Sequence, residues 1–414
     1  MASTSSKHTE ERQINTGRTD PCKRQLIGIT LAASLILFIF AFSNAVWGPS
    51  IGPLARLLHT PVSQIQLLLE LWGLGYIPGA LVGGVFLDRY GPRAVFLTAS
   101  LILAGGLLAF LLCVTFFPRS MPFALALLLI GIAGIGGGLI DSSTNGTMSS
   151  VYAKKRGIAL NLFSLIYPVG GLLIALVDGG LLATFHNSPL PAFVFTLGFA
   201  FMALFSLLAI PKRFRIRHGT TSLKRTLKNA PALLRALAPI IAVMTLTSGV
   251  YVSIYTWLPN YLHITFGQAA AMGAFLSGAI WIADGLSRLG AATIISRFGS
   301  WRVTVLGIGV GLLGLILLAC SPSAIFATAG FALAIAGIGP LYGTSLTIAG
   351  ERTEQSLGSV TSLMLFSGAV FNLFYVWLFG FLLHTIGPLW PVLLSLALVI
   401  GSGLVALHLR PRHL

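Results

Sequence analysis

The chain has 414 residues, of which 9% are charged and 56% hydrophobic, with a formal net charge of +16 and a mean hydropathy of +0.90. An ordinary soluble domain carries about 25% charged residues, so a water-soluble enzyme or secreted protein is excluded as the default reading. The basic excess falls between long apolar stretches, where it orients a membrane protein rather than binding nucleic acid.

In chain order, residues 1–25 are polar and are expected as a disordered cytoplasmic tail. The first apolar run begins at Leu26 and reaches about Ile51. Others follow near 63–87, 94–117, 122–150, 157–183, 189–210, 236–262, 268–295, 302–320, 322–349, 357–384 and 388–408. Most are long enough to cross a hydrocarbon layer of about 30 Å as helices. Their continuous apolarity, without period-2 alternation, argues against a β-barrel. The fold expected is an all-α integral membrane protein of twelve transmembrane helices, arranged as two pseudo-symmetric six-helix bundles, 26–210 and 236–414. A cytoplasmic central loop, 211–235, joins them. With both termini in the cytoplasm, every Lys and Arg except Arg56, Arg119 and Arg288 falls on the cytoplasmic side. Cys22, Cys113 and Cys320 form no disulfide framework and no metal spacing.

Features recur between the halves. Pro53 matches Pro259, the turn at 83–93 matches 291–302, and 153–161 matches 353–362. Such duplication is common in transporters. Glycines at i, i+4 spacing (Gly75–Gly79–Gly83, Gly134–Gly138, Gly307–Gly311) are expected to let helices approach closely. Pro78, Pro168, Pro259 and Pro340 are expected to kink their spans.

The sharpest motif is Gly84-Val-Phe-Leu-Asp88-Arg89-Tyr-Gly91-Pro-Arg93. It resembles the loop signature G-x-x-x-D-R-x-G-x-R of the major facilitator superfamily. The resemblance covers the whole chain. It implies a secondary transporter working by alternating access, with this cluster acting as a gate that latches the halves on the inner face. In the second copy Ser296 stands in place of the acid and the second arginine is shifted to Arg302. Asp141-x-x-x-Asn145, followed by Leu160-Asn161, is similar to the fucose:proton symporter-like branch. By that resemblance Asp141 is a proton or substrate carboxylate, and Asn145 and Asn161 are hydrogen-bonding groups near it. That branch can carry a second carboxylate in the first span, whereas Ser43–Pro49 here has none. The fifth span reads Pro168-Val-Gly-Gly rather than a Gly-Pro antiporter motif, which disfavours drug/proton exchange.

Four acids fall within spans: Glu70, Asp141, Asp178 and Asp284. A charge at bilayer depth costs about 2.5–3.5 kcal/mol even on insertion scales, so these residues face protein or water. Asp141 lies deep in the fourth span with Asn145 one turn on. Asp284 and Arg288 are spaced to pair with each other, or Arg288 pairs with a substrate anion or with Asp141. Glu70 is expected near Arg56 or His59, and Asp178 as a solvated rim residue. Spans three, six, nine and twelve have uncharged cores, as lipid-facing helices should. Asn44, Trp47, Tyr251, Tyr255, Trp257, Asn260, Trp281, Tyr342, Asn372 and Tyr375 are candidates to line a polar pathway.

The function expected is secondary active transport of a small solute, a sugar or other small organic molecule, coupled to protons or another ion. Multidrug or metabolite efflux by proton antiport is the alternative within that class. A non-transporting membrane sensor or a membrane-embedded enzyme is the alternative outside it. The eight histidines are scattered, so an enzyme is not expected. Neither a metal nor a cofactor is expected. The partners expected are the solute, protons and the lipid bilayer, with no nucleic acid. The chain is expected as a monomer in the cell membrane, both termini cytoplasmic.

Overall fold

The computed structural model describes residues 23–117, 122–152, 162–210, 223–352 and 357–409. Every regular element among them is helical, as a chain must be when lipid cannot satisfy its backbone groups. The first span is Lys23–Ala45, continued past a break at Val46 by Trp47–Leu57. The second to fifth are Val62–Tyr90, Pro92–Phe116, Phe123–Val151 and Ile166–Thr184. The sixth is Leu190–Ser206 with a 3-10 turn, Leu207–Ala209. The seventh to ninth are Leu223–Phe266, Ala270–Phe298 and Ser300–Ala319. The tenth is Ala324–Ile338 followed by Leu341–Glu351. The last two are Leu357–Thr385 and Leu389–His408. Among the described residues, eleven spans are long and apolar enough to cross a membrane, and the sixth is a shorter apolar helix.

One boundary differs from expectation, and the kink expected at Pro340 is a full break. The seventh helix begins at Leu223, inside the segment 211–235 expected as a loop, because Leu223–Arg235 continues the helical ladder despite Pro231. The tenth span breaks at Gly339–Pro340, since proline cannot donate to the ladder. The tail 1–22 lies outside the described residues.

The two halves repeat a local device. Gly91 (φ 80°, ψ 166°) ends the second span and Gly299 (φ 78°, ψ 156°) ends the eighth. Both hold a backbone conformation that residues with a Cβ rarely adopt. Each turn feeds straight into the following helix. Because successive spans alternate in direction, Lys23, Leu409, the two turns, Ile210 and Leu223 lie on one face of the bundle, the terminal face. The other is the far face.

Glycine ladders set the spacing within each half. A Cβ on Gly75 or Gly79 would strike the Gly131 or Ile135 carbonyl of the fourth span. One on Gly134 or Gly138 would strike the Trp72 or Tyr76 carbonyl of the second. The two backbones are therefore in direct contact, which lets dispersion and close packing hold helices that gain nothing from apolarity alone in lipid. Gly307 does the same against the Gly337 carbonyl, and Gly311 lies against the Ile338 side chain. Gly138→Ala is expected to lower the melting temperature of the purified protein by several degrees, because overpacking costs about 1–3 kcal/mol and backbone cannot rotate aside. Gly84→Ala, with nothing within 4 Å of the added carbon, is expected to melt like the parent.

The halves meet through spans one, two and five on one side and seven, eight and eleven on the other. Gly48 abuts the Tyr255 and Thr256 carbonyls, Gly73 abuts Leu373, Gly179 lies under Phe275, and Gly171 under Trp281. Gln66 donates to the Trp377 carbonyl at 2.6 Å. Apart from the mid-depth Gly171–Trp281 contact, these belong to the half of the bundle nearer the far face, so the seam is sealed there. Asp178 lies in this seam. It is two turns beyond Gly171 on the same helix face. It is 0% exposed, and neither carboxylate oxygen has a hydrogen-bond partner. This corrects the solvated rim position expected for it. The eighth span covers this turn because Gly179 lets the Phe275 ring lie against it.

Candidate functional site: a charged cavity between the halves

A cavity of about 340 Å³ lies between the halves, lined by residues of spans one, two, four, five, seven, eight, ten and eleven. Its first-half wall centres on Asp141. The glycine ladder brings the second span so close that the Tyr76 hydroxyl donates to Asp141 Oδ2 at 2.5 Å. Asn145, one turn on, donates to Oδ1 at 2.8 Å and also to the Asp141 carbonyl at 3.0 Å.

The second-half wall holds a comparable triad. Arg288 Nε donates to Asp284 Oδ1 at 2.9 Å, and the Tyr251 hydroxyl donates to Oδ2 at 2.8 Å. Arg288 Nη2 donates back to the Tyr251 hydroxyl at 3.2 Å. Asp284 is 0% exposed and its Oδ1 presses on Gly339, where a Cβ would collide with it. The helix break at Gly339–Pro340 thus makes room for a carboxylate. Each wall has an acid, a tyrosine from a neighbouring helix and an i+4 donor. They differ in charge. Arg288 neutralises Asp284, whereas Asn145 leaves Asp141 without a countercharge. Among the lining residues Arg288 is the only lysine or arginine.

Of the pathway candidates, Asn44, Trp47, Tyr251, Tyr255, Tyr342 and Asn372 line the cavity. Asn44 donates to the Phe40 carbonyl at 2.9 Å. Asn372 accepts from Ser248 at 2.8 Å. Four candidates do not line it. Trp257 donates to the Val376 carbonyl and packs on Gly380. Tyr375 bonds Ser395 at 2.8 Å. Asn260 is buried with its Nδ2 unpartnered. Trp281 stands behind Tyr255 and Tyr167, with centroids 5.3 and 5.6 Å away. Glu70 lines the cavity but forms no ion pair with Arg56 or His59, which corrects that expectation; its Oε1 has no partner. Arg56 and His59 are instead exposed beyond the bundle end. Asn161 lies outside the described residues.

Around the gate motif, Gly91 makes the tight turn and Arg89 lies over the Tyr90 ring at 5.3 Å. Arg93 donates to the Ile210 carbonyl at 3.0 Å, a contact within its own half. Gly84 makes no close helix contact; the adjacent Gly83 does, against Ser142. The Asp88 side chain lies outside what is described. Sequence reasoning missed Trp72, Tyr76, Tyr167 and Ser248 as lining groups. For Tyr76 a signal existed: it follows Gly75, on the edge of the ladder that meets Asp141's helix.

The Major Facilitator Superfamily profile matches residues 33–374. The chain belongs to this superfamily. An uncharacterised MFS-type transporter of Yersinia pestis is 26% identical over 340 residues, 80% of this chain and 84% of that protein. The enterobactin exporter EntS of Escherichia coli is 27% identical over 307 residues, 67% and 71% of the two chains. Among solved structures, the xylose transporter XylE of E. coli, partially occluded and inward open, superposes with a TM-score of 0.75 at 15% identity. It covers 94% of this chain and 100% of that one. The E. coli fucose:proton symporter gives 0.67 at 14%, covering 94% and 100%. The superfamily transporter described here therefore has the two-bundle fold expected, shared with sugar permeases.

Proposed function

We propose that this transporter carries a small organic solute by alternating access and couples its movement to protons at Asp141. The observation supporting this is the cavity-facing carboxylate with two donors and no countercharge. It sits between two halves that touch on the far side. The positive charge on the terminal face favours placing that face in the cytoplasm of a cell-membrane protein. The structure then corresponds to a state shut from the outside. Tyrosine, asparagine and serine groups suit hydroxylated or amphipathic solutes. The fold is shared with xylose and fucose symporters. Similarity to an exporter gives efflux by exchange as the second reading.

The test is a thermal-shift screen of purified protein over sugars, organic acids and drugs at two pH values, because a bound solute stabilises the folded state. Hits then go into proteoliposomes with an imposed pH gradient. At least one solute is expected to raise the melting temperature and to accumulate with the gradient in one direction. No stabilising solute, or flux indifferent to the gradient, would overturn the reading.

A further inference from the structure

Glu70 sits in the cavity wall with nothing to hold. It is 8% exposed, and its buried Oε1 has no hydrogen-bond partner. The same stretch of helix presents Leu69, Trp72 and Gly73 to the cavity. Trp47 of the first span faces Trp72, with ring centroids 6.3 Å apart and planes tilted by 56°. Across the seam stand Asn372, Leu373 and Val376 of the eleventh span, none of them basic.

The charge balance of the cavity is one-sided. Arg288 is taken by Asp284, so Asp141 and Glu70 remain without a basic partner among the lining residues. A buried carboxylate without a partner is costly. Beside a neutral solute only a proton could neutralise it, and an anion would add repulsion. An organic cation would supply the missing charge.

We propose that Glu70 is the counterion subsite for an organic cation, a protonated or quaternary amine, carried in this cavity. This rests on the transport reading above and narrows its solute class. Asp141 holds the coupling proton on the neighbouring wall, while Glu70 meets the charge of the cargo.

The test uses two ions of nearly the same shape and opposite charge, tetraphenylphosphonium and tetraphenylborate. Their binding to the full chain in nanodiscs is measured with protein-free nanodiscs subtracted. Tetraphenylphosphonium is expected to bind saturably and to quench tryptophan fluorescence. Glu70→Gln is expected to weaken it by about tenfold or more, and Glu70→Asp, which keeps the charge, to weaken it less. Elution as a monodisperse peak confirms that each variant is folded. If Glu70→Gln fails to fold, the same comparison is made with Asn372→Lys, which sets a cation across the seam from Glu70 and is expected to weaken the cation and not the anion. Equal or tighter binding of tetraphenylborate, or unchanged cation affinity in the folded variants, would overturn the subsite. Those results leave the transport reading standing if a neutral solute from the screen still accumulates. Failure of every solute to bind or move would instead sink the transport reading.

Discussion

Asp141→Asn is expected to abolish accumulation of solute above equilibrium in proteoliposomes with an imposed pH gradient, while exchange of labelled for unlabelled solute continues. One unit of pH supports about tenfold accumulation per coupled proton, so the variant should fall from that level to none. The substitution keeps the side chain's shape. Tyr76 and Asn145, bonded to the two oxygens at 2.5 and 2.8 Å, retain a polar partner, since a tyrosine hydroxyl can turn to accept. What is lost is the ability to gain and lose a charge at this point of the cavity wall. Asp141→Ala should do worse, losing exchange as well, because Tyr76 loses its acceptor and Asn145 keeps only the backbone carbonyl. Accumulation by Asp141→Asn at the parent level would remove Asp141 from the coupling step.

Gly48→Leu is expected to lower transport by about tenfold or more without unfolding the protein. A Cβ at Gly48 would stand 2.9 Å from the Thr256 carbonyl oxygen and 3.1 Å from that of Tyr255. Those atoms are backbone of the seventh span and cannot rotate away, so a bulky side chain wedges the far side of the seam apart. Each half keeps its own packing, and stability should stay within the usual range of a single overpacking change, about 1–3 kcal/mol. Accessibility provides the readout. In a background without Cys22, Cys113 and Cys320, a cysteine at position 44 should react with a membrane-impermeant maleimide from the far side only when Gly48→Leu is present. Gly52→Leu, with nothing within 4 Å of its added carbon, is the matched control. Parent-like transport and unchanged labelling in Gly48→Leu would show that the seam does not need this contact.

The sequence made the span count and the scarcity of charge in spans three, six, nine and twelve legible, because hydropathy and loop charge are summed over many residues. Asp141 with Asn145, and Asp284 with Arg288, were legible as pairs because i, i+4 spacing alone puts them on one face. The rotation of each helix about its axis was not. Trp257, Asn260, Trp281 and Tyr375 face packed neighbours, while Trp72, Tyr76 and Tyr167 face the cavity. An aromatic in a wholly apolar span carries no periodic signal to tell these apart. Partners on other spans were hidden for the same reason: Tyr76 for Asp141, Tyr251 for Asp284 and Gly339 beneath it. The interruption at Gly339–Pro340 reads as a proline kink until the carboxylate lodged against it is seen.

The buried Asp178 makes the sealed face conditional. A carboxylate at 0% exposure with both oxygens unpartnered has surrendered its water for nothing in return. Any motion that parts spans five and eight rehydrates it. Such a carboxyl takes up a proton rather than hold a charge, and leaving its polar atoms unpaired still costs about 1–3 kcal/mol, within the few kcal/mol that separate two conformations of a protein. The sealed arrangement is therefore poised against itself. Its hydration debt, held at one side chain, gives the molecule a standing tendency to reopen once whatever favours closure has departed.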